Sequence, residues 1–386
     1  MDHHRFFVST ARGLEHILLS EVKALNPTFA RSVPGGVLFE GPSILAWRAN
    51  LWLRTGQRVL QPFHEFPCDS YDALYEGAST IRWEDLLTPE HTLAVEATCS
   101  RTPLSHSHHA GLKVKDAIVD RLRERLGSRP DVDVRNPDVR IHVYLHDTTC
   151  QLSLDLSGEP LFMRHYRVRA TEAPLKETLA AGVIGLSGWN RRVPLRDPMC
   201  GSGTLVIEAA LMGLERAPGR HRDFGFQRHP GYGDAEARAF RALLEEADDR
   251  ARTAGDVNFR LEASDWDPAA IDAARLNARA AGVEDLITFE VRDVRDLPPG
   301  ERGSWLVSNP PYGERMGGSQ ASVHALYRQI GQRLKTCPPQ NAWLLCSSPA
   351  FESTLGMSAR ARHRLFNGPI ETWLYGFGVS PERKRR

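Results

Sequence analysis

The stretch RDPMCGSGTLVIEAA, Arg196–Ala210, decides how the carboxyl-terminal half of this 386-residue chain is read. Val193–Asp197 predicts a buried strand, and Thr204–Leu214 predicts a helix with Leu205, Ala209 and Met212 on one face. Gly201 and Gly203 then fall in the bend between them, where the missing Cβ lets backbone approach a ligand closely. A dinucleotide fingerprint needs a third glycine three positions on and an acidic residue about 20 residues later. Val206 takes the first of those places and the next strand-end acid is Asp265. The turn is therefore not read as an NAD or FAD site.

The same punctuation repeats outward from this turn. From about Pro174, strands at Val193–Asp197, Arg260–Asp265, Ile287–Asp293, Trp305–Asn309 and Ala342–Ser347 alternate with helical stretches. That alternation predicts an α/β fold with a parallel, doubly wound sheet. Three of these strands end in Asp197, Asp265 and Asp293, and a fourth runs into SNPPY. The ligand crevice of such a sheet lies outside these carboxyl ends. Asn367-Gly368, inside HRLFNGPIETWLYGFGV, marks a tight hairpin and an antiparallel pair at one end of the sheet.

The amino-terminal half has a different character. Phe6 and Val8 alternate as in a strand, and Leu14, Ile17, Leu18, Val22 and Leu25 follow with helical spacing. GGVLFEG reads as a strand bounded by glycines and SILAWRANLWLRTGQRVL as a second helix, which gives a small α+β module over residues 1–66. A second module, residues 67–160, consists of the strand TLAVEATCS, the helix AGLKVKDAIVDRLRERLG with Val114, Ile118 and Leu122 on one stripe, and two strands in VRIHVYLHDTTCQLSLDL. Residues 161–386 form the α/β part. It contains an insertion, RDFGFQRHPGYGDAEARAFRALLEEADDRA, with a helix that turns Phe240, Leu244 and Ala247 inward. The aromatic residues of this insertion either line a substrate entrance or pack it down.

Composition bounds the remaining choices. At 41% hydrophobic and 25% charged residues the chain has ample material for two or three cores. Its net charge of +1 gives no global basic field, which leaves only local patches to meet a polyanion. The six cysteines form no C-x-x-C pair, so neither a structural zinc site nor a disulfide framework is expected. No apolar run approaches the ~18 residues of a membrane span, and Met1 leads into the polar DHHRFF. A soluble, cytoplasmic protein with no membrane partner and no metal is expected. His106, His108 and His109 read more simply as a solvated loop than as ligands.

In order, DPMCGSGT (Asp197–Thr204), SDWD (Ser264–Asp267), Asp293 and NPPYGERMG (Asn309–Gly317) resemble the motifs of class I S-adenosylmethionine-dependent methyltransferases. GGVLFEG, NLWLRTGQRVL, GLKVKDAIVDRL, LDLSGEPLFMRHYR and APLKETLAA extend the resemblance over nearly the whole chain. Together they identify it with the bacterial THUMP-containing guanine-N2 RNA methyltransferases, in particular those acting on 23S rRNA, without the second methyltransferase half that some bacteria fuse to it. The resemblance implies a Rossmann-like class I methyltransferase domain behind amino-terminal ferredoxin-like and THUMP modules. The cofactor it implies is S-adenosyl-L-methionine and the partner is RNA, 23S rRNA first and tRNA as the rival, with no obligate protein partner. NPPY is shared with adenine and protein-glutamine methylases, so it fixes an amine-type nitrogen without naming it. A DNA adenine methylase and a non-catalytic RNA-binding assembly factor are the other rivals.

By the same resemblance, Pro198, Gly201, Ser202, Gly203 and Thr204 hold the methionine end of the cofactor, Asp265 the ribose hydroxyls and Asp293 the adenine amine. Asn309 borders the cofactor, and APLKE (Ala173, Pro174 and Leu175 foremost) passes beside it. Asp197, at the strand end, can accept from the cofactor ammonium. The chemistry of the transfer follows from the residues. The lone pair of a purine amino group is delocalised into the ring, so a site must turn it toward the methyl. The Asn309 side-chain carbonyl and the Pro310 carbonyl offer two acceptors for the two N–H groups. Tyr312 offers a stacking surface for an extruded base, and Pro310 and Pro311 stiffen the loop. No general base is required, because the product ammonium is acidic and loses its proton to solvent.

Several of these residues have plainer readings. Asp197 and Asp293 can be turn residues, and Asp267 before Pro268 reads as a helix N-cap. Cys200 reads as a small packing residue. Lys113, Lys115 and Arg121–Arg125 form either a phosphate-contacting or a merely solvated helix face, and ERKRR at the carboxyl end is a basic tail. Trp47, Trp52 and Trp83 read as packing residues. His165 stands where the family pattern has glycine, which puts a close backbone approach there in question.

Overall fold

The computed structural model describes residues 3–170, 174–254, 259–301, 303–312, 320–339 and 341–378. The chain divides into two compact units, one made of Met1–Thr10, Leu19–Leu161 and His221–Glu245, the other of Ala11–Leu18, Phe162–Arg220 and Glu246–Arg386.

In chain order the elements up to residue 155 are β1 (His4–Thr10), α1 (Glu15–Lys23), β2 (Phe29–Val33), β3 (Gly36–Gly41), α2 (Ser43–Trp52), β4 (Gly56–Pro67), α3 (Tyr71–Ser79), β5 (Thr92–Ser100), α4 (Ser107–Leu126), β6 (Asp131–Val132), β7 (Val139–His146) and β8 (Thr149–Asp155). The strands form one sheet in the order β2-β3-β1-β4-β8-β7-β5-β6. The two modules read from the sequence therefore share a single sheet. β4 is the seam, antiparallel to β1 on one side, with Phe7 opposite Leu60, and to β8 on the other, with Leu60 opposite Asp155.

This strand corrects the expectation that SILAWRANLWLRTGQRVL is one helix. The helix α2 ends at Trp52, and Leu53 is already extended. The buried Glu21 carboxylate accepts hydrogen bonds from the Arg54 and Thr55 N–H groups at 3.0 and 3.1 Å and from the Thr55 hydroxyl at 3.0 Å. Those bonds take up the donors that would continue the helix, and β4 starts at Gly56. Leu74, Trp83, Val114, Ile118, Leu122, Ile141 and Val143 build the core under α3 and α4. Alternate residues of β7 are buried, as expected for a sheet with one covered face.

The insertion, up to Glu245, folds with this first unit. Phe224 and Phe226 are buried, Phe226 stacks on Trp47 at 5.4 Å between ring centroids, and Phe240 meets Phe226 edge-on at 5.1 Å. The phenylalanines thus pack the insertion down. A Cβ at Gly225 would lie 2.8 Å from the Asp155 carbonyl oxygen, so the chain passes here only as glycine. Arg222 donates to the carbonyls of Glu159 and Pro160 at 2.6 and 2.8 Å.

The remaining elements are α5 (Glu177–Ser187), β9 (Leu195–Asp197), α6 (Thr204–Gly213), α7 (Asp234–Thr253), β10 (Leu261–Asp265), α8 (Pro268–Ala280), β11 (Ile287–Val291), β12 (Trp305–Ser308), α9 (Gln320–Thr336), β13 (Asn341–Cys346), α10 (Phe351–Leu355), β14 (Ala361–Asn367) and β15 (Ile370–Gly378). The second unit carries a seven-stranded sheet in the order β11-β10-β9-β12-β13-β15-β14. The first five strands are parallel and β15 is antiparallel to both neighbours. Where alternation predicts a helix between β11 and β12, the connection carries only a short 3-10 turn, Val294–Asp296.

Each face of this sheet has its own core. Leu195, Ala263, Val307 and Leu345 pack with residues of α5, α6 and α8. Leu306, Leu344 and Phe377 pack with Tyr327, Ile330 and Leu334 of α9 and Phe351 of α10. Leu306 and Val307 point to opposite sides because side chains alternate along a strand. The chain steps outward from β9 to β10 and β11 and then returns to the far side of β9 as β12. That reversal is the switch point at which an open sheet leaves a crevice beyond its strand ends.

Candidate active site

A cleft of about 900 Å³ opens at this switch point, a volume in the range of small-molecule sites. It gathers Pro174, Leu175, Asp197, Pro198, Gly201, Ser202, Thr204, Asp265, Asp293 and Asn309–Tyr312, together with Arg169, Met199, Trp266 and Gln329. Gly203 does not line it and sits behind the turn. Ala173, the GERMG residues after Tyr312 and the basic tail lie outside the described residues.

The glycine turn is tied down from below. The Cys200 N–H donates to the Ser264 carbonyl at 3.0 Å and the Gly203 N–H to the Cys200 carbonyl at 2.9 Å. Gly201 and Gly203 have φ of +53° and +83°. A Cβ at Gly203 would lie 3.0 Å from that of Ala274 on α8. Both sterics and conformation therefore demand glycine at that position. The Gly201 N–H donates to Asp265 Oδ2 at 2.9 Å and the Asp267 N–H to Oδ1 at 3.1 Å, so Asp265 is part of the turn it stands beside.

Asp197 is buried at the end of β9, where its Oδ1 accepts from the Ser308 hydroxyl at 2.6 Å and from the Met199 N–H at 3.3 Å. Burial pushes its carboxyl up to about 7, with the nearby Asp265 adding to the rise. Burial likewise raises Asp265 above the usual carboxylate value, against the pull of the backbone N–H groups that it accepts. Burial first, then Asp197 and Asp265, hold the Cys200 thiol well above its ordinary range. Cys200 is accordingly a neutral packing group, not a nucleophile.

Two acids are engaged locally. Asp267 accepts from the Ala269 N–H at 2.9 Å and caps α8, with Pro268 in its first turn. Asp293 lies two residues past β11 and caps the 3-10 turn by accepting from the Arg295 N–H at 2.9 Å, while the Arg295 guanidinium grips both carboxylate oxygens. That guanidinium holds the Asp293 carboxyl below the usual range. An ionised carboxylate has about four acceptor sites, so one further donor can still be accommodated.

On the far side of the cleft, Asn309–Tyr312 continues directly from β12. The Asn309 Oδ1 is buried and has no hydrogen-bond partner among the described residues. A buried acceptor left in this state costs free energy unless something meets it. The loop around it is held from outside. The Tyr327 hydroxyl donates to the Pro311 carbonyl at 2.7 Å, and Asn367 Nδ2 donates to the Tyr312 hydroxyl at 3.2 Å.

Several supporting residues carried no signal in the sequence. Ser308 precedes the NPPY motif, Tyr327 reads as an ordinary core position of α9, and Asn367 reads only as a turn residue. Asn277 sits in mid-helix and hydrogen-bonds the turn. Other singled-out residues have local partners: Arg121 pairs with Glu84 at 2.9 Å and donates to the Ser79 carbonyl at 3.1 Å, Lys115 pairs with Asp116 at 2.7 Å, and His109 packs edge-on to Tyr71. His165 has φ of +63°, so this histidine keeps the left-handed backbone that a glycine would supply there.

Three domain models match successive parts of the chain. Residues 5–60 match the RlmL ferredoxin-like domain, residues 68–155 the THUMP domain, and residues 164–375 the RMKL-like methyltransferase domain. The ribosomal RNA large subunit methyltransferase K/L of Syntrophotalea carbinolica is 40% identical over 390 residues, which cover 98% of this chain and 54% of that protein. The chain thus spans about half the length of this curated relative. The crystal structure of SMU.472 complexed with SAH superposes with a TM-score of 0.87 at 30% identity, covering 99% of this chain and all of that one. A "predicted N6-adenine-specific DNA methylase" of Listeria monocytogenes gives 0.85 at 32% identity, covering 98% of this chain and 97% of the other. With more than half of its length matched by one domain model and full-length structural relatives at this identity, the chain belongs to the RMKL-like methyltransferase domain family.

Proposed function

We propose that this chain transfers a methyl group from S-adenosylmethionine to the exocyclic N2 amine of a guanine in 23S rRNA. The observation that carries the reading is the buried, unpartnered Asn309 Oδ1 beside a cleft whose opposite wall is a glycine turn flanked by two buried carboxylates. The SAH bound to SMU.472 supports the cofactor, and the substrate named for the Syntrophotalea relative supports the RNA. The THUMP match supports an RNA ligand over a protein.

The cleft's residues fit this cofactor. The polar groups at the turn are the carboxylates of Asp197 and Asp265, suited to an ammonium and to hydroxyls. When bound, S-adenosylmethionine supplies an electrophilic methyl on a sulfonium. Asp197, once ionised, accepts from the ammonium, and Pro198, Ser202, Thr204 and the glycines shape the turn around the methionine end. Asp265 accepts from the ribose hydroxyls and Asp293 from the adenine amine beside Arg295. Pro174 and Leu175 close one side, with Ala173 assigned to the same strip.

Asn309 Oδ1 and the Pro310 carbonyl then accept the two N–H groups of the guanine amine, which points its lone pair at the methyl. Tyr312 stacks on the base, and its hydroxyl, held by Asn367, fixes the ring's tilt. The product nitrogen releases its proton to water. Rate comes from orientation and needs no base of shifted pKa. The divisions 1–66, 67–160 and 161–386 assign RNA capture to the middle module, by shape and phosphate contacts.

A second reading, an adenine N6 methylase, draws on the description of the Listeria relative and the same NPPY loop. Labelled S-adenosylmethionine offered with unmodified 23S rRNA, total tRNA and duplex DNA, followed by nucleoside analysis, separates them. N2-methylguanosine in 23S rRNA is expected. The same nucleoside in tRNA overturns the substrate, and N6-methyladenine in any pool overturns the target atom.

A further inference from the structure

The amide of Asn277, on α8, is buried and uses its full hydrogen-bonding capacity on backbone alone. Its Oδ1 accepts from the N–H groups of Val168 and Arg169 at 2.8 and 3.0 Å. Its Nδ2 donates to the carbonyls of Arg169 and Ser202 at 2.8 and 3.0 Å. An Asn side chain has two donors and one carbonyl with two lone pairs, so the four bonds leave none over. Ser202 belongs to the glycine turn, and Arg169 opens the strip that reappears as Pro174 and Leu175 on the rim of the same cleft. One side chain therefore joins the floor of the cleft to its rim.

The neighbouring contacts make the joint specific. One turn earlier on α8, Ala274 lies against Gly203, so the helix grips the turn at two successive levels. Arg167 donates from Nε to Glu177 at 2.9 Å and from Nη2 to the Leu175 carbonyl at 2.7 Å, which anchors the far end of the strip to the start of α5. Glutamine in place of Asn277 is a methylene too long, and aspartate offers no donors to the two carbonyls.

We infer that Asn277 is a positioning residue for the cofactor: it fixes the Val168–Arg169 strip to the Ser202 carbonyl, so that ordering the rim and binding the methionine end of the cofactor become one coupled event. The inference rests on the cofactor reading above and adds a residue to it. Coupling of this kind is reciprocal, so ligand at the turn must also stabilise the strip.

The test uses the full chain and SAH as the probe. In wild type, amide exchange at Val168 and Arg169 is expected to slow when SAH binds, with exposed peptides elsewhere unchanged. Asn277→Asp, which keeps the shape and both acceptor bonds but loses both donors, is expected to weaken SAH binding by about tenfold or more in calorimetry. It is also expected to abolish the SAH-dependent protection of the strip. Arg279→Ala, exposed on the same helix, controls for general damage to α8 and should bind as wild type. SAH affinity within twofold of wild type in folded Asn277→Asp overturns the inference. So does unchanged exchange at the strip in wild type, a readout that survives if the variant fails to fold. Failure of wild type to bind SAH at all strikes the cofactor reading instead.

Discussion

The two walls of the cleft are built on opposite plans. On the glycine-turn wall the main polar groups are braced by neighbours: Asp265 by Gly201 and Asp267, one Asp197 oxygen by Ser308 and Met199, and the Ser202 carbonyl by Asn277. On the NPPY wall the loop is clamped from behind by Tyr327 and Asn367, while Asn309 Oδ1 has no partner among the described residues. The first wall is therefore braced before any ligand arrives. The second holds a buried acceptor that, in the proposed reaction, the guanine amine would meet, and interactions that are stronger in the transition state are those that raise kcat.

Substitution at Asn309 gives the largest expected separation. Asn309→Ala should lower kcat by about 10²–10³, the scale of removing one preorganised polar contact. SAH affinity should stay within about twofold, because the turn wall is intact. Single-turnover transfer beside calorimetry reads both numbers, and a parallel loss of the two would mean that the walls do not act separately.

Asp197 sharpens the comparison through pH. Its carboxyl sits at about 7 in the folded protein, against an ordinary 3.8. The folded state thus favours the protonated form. That contribution is fully present below about pH 4 and is lost as pH rises through 7, for a total on the order of 4 kcal/mol. Binding an ammonium needs the ionised form, so cofactor affinity should move the opposite way and rise between pH 6 and 8. Urea titrations of wild type and Asp197→Asn at pH 4.5 and 7.5 should show the wild type's advantage shrinking with pH. A pH-independent difference would remove the buried-acid account.

The smallest effect belongs to Asp293. Because Arg295 already occupies much of its carboxylate, a further hydrogen bond there is worth about 0.5–1.5 kcal/mol. Asp293→Asn should therefore weaken SAH by roughly two- to tenfold. A hundredfold loss would place Asp293 with Asp197 among the principal anchors.

How much of this was legible in the sequence depended on the range of the interaction. The parallel strands, the turn at Gly201–Gly203 and the NPPY loop are local signals, since steric and hydrogen-bonding demands fall on adjacent residues. The hairpin at Asn367-Gly368 is local in the same way. Pairings across the chain left no trace: β4 was hidden inside an apparently helical run because the group that stops that helix, Glu21, lies more than thirty residues upstream. The clamps on the NPPY loop were equally silent, for Tyr327 and Asn367 meet it only after the sheet has formed. Asn277 carries no signal in the sequence, and its partners come from where the strip passes.

The insertion has a consequence for synthesis. Trp47 finds its stacking partner in Phe226, and the glycine at 158 finds its neighbour at 225. A nascent chain that has just delivered its eighth strand at Asp155 therefore holds an unfinished unit, with Trp47 uncovered until about seventy more residues have been added, the glycine turn among them. Vectorial folding of this protein does not proceed unit by unit: the amino-terminal unit closes only after the first strand of the seven-stranded sheet has emerged. A fragment ending at Leu161 would keep every strand of its sheet and still lack part of its core.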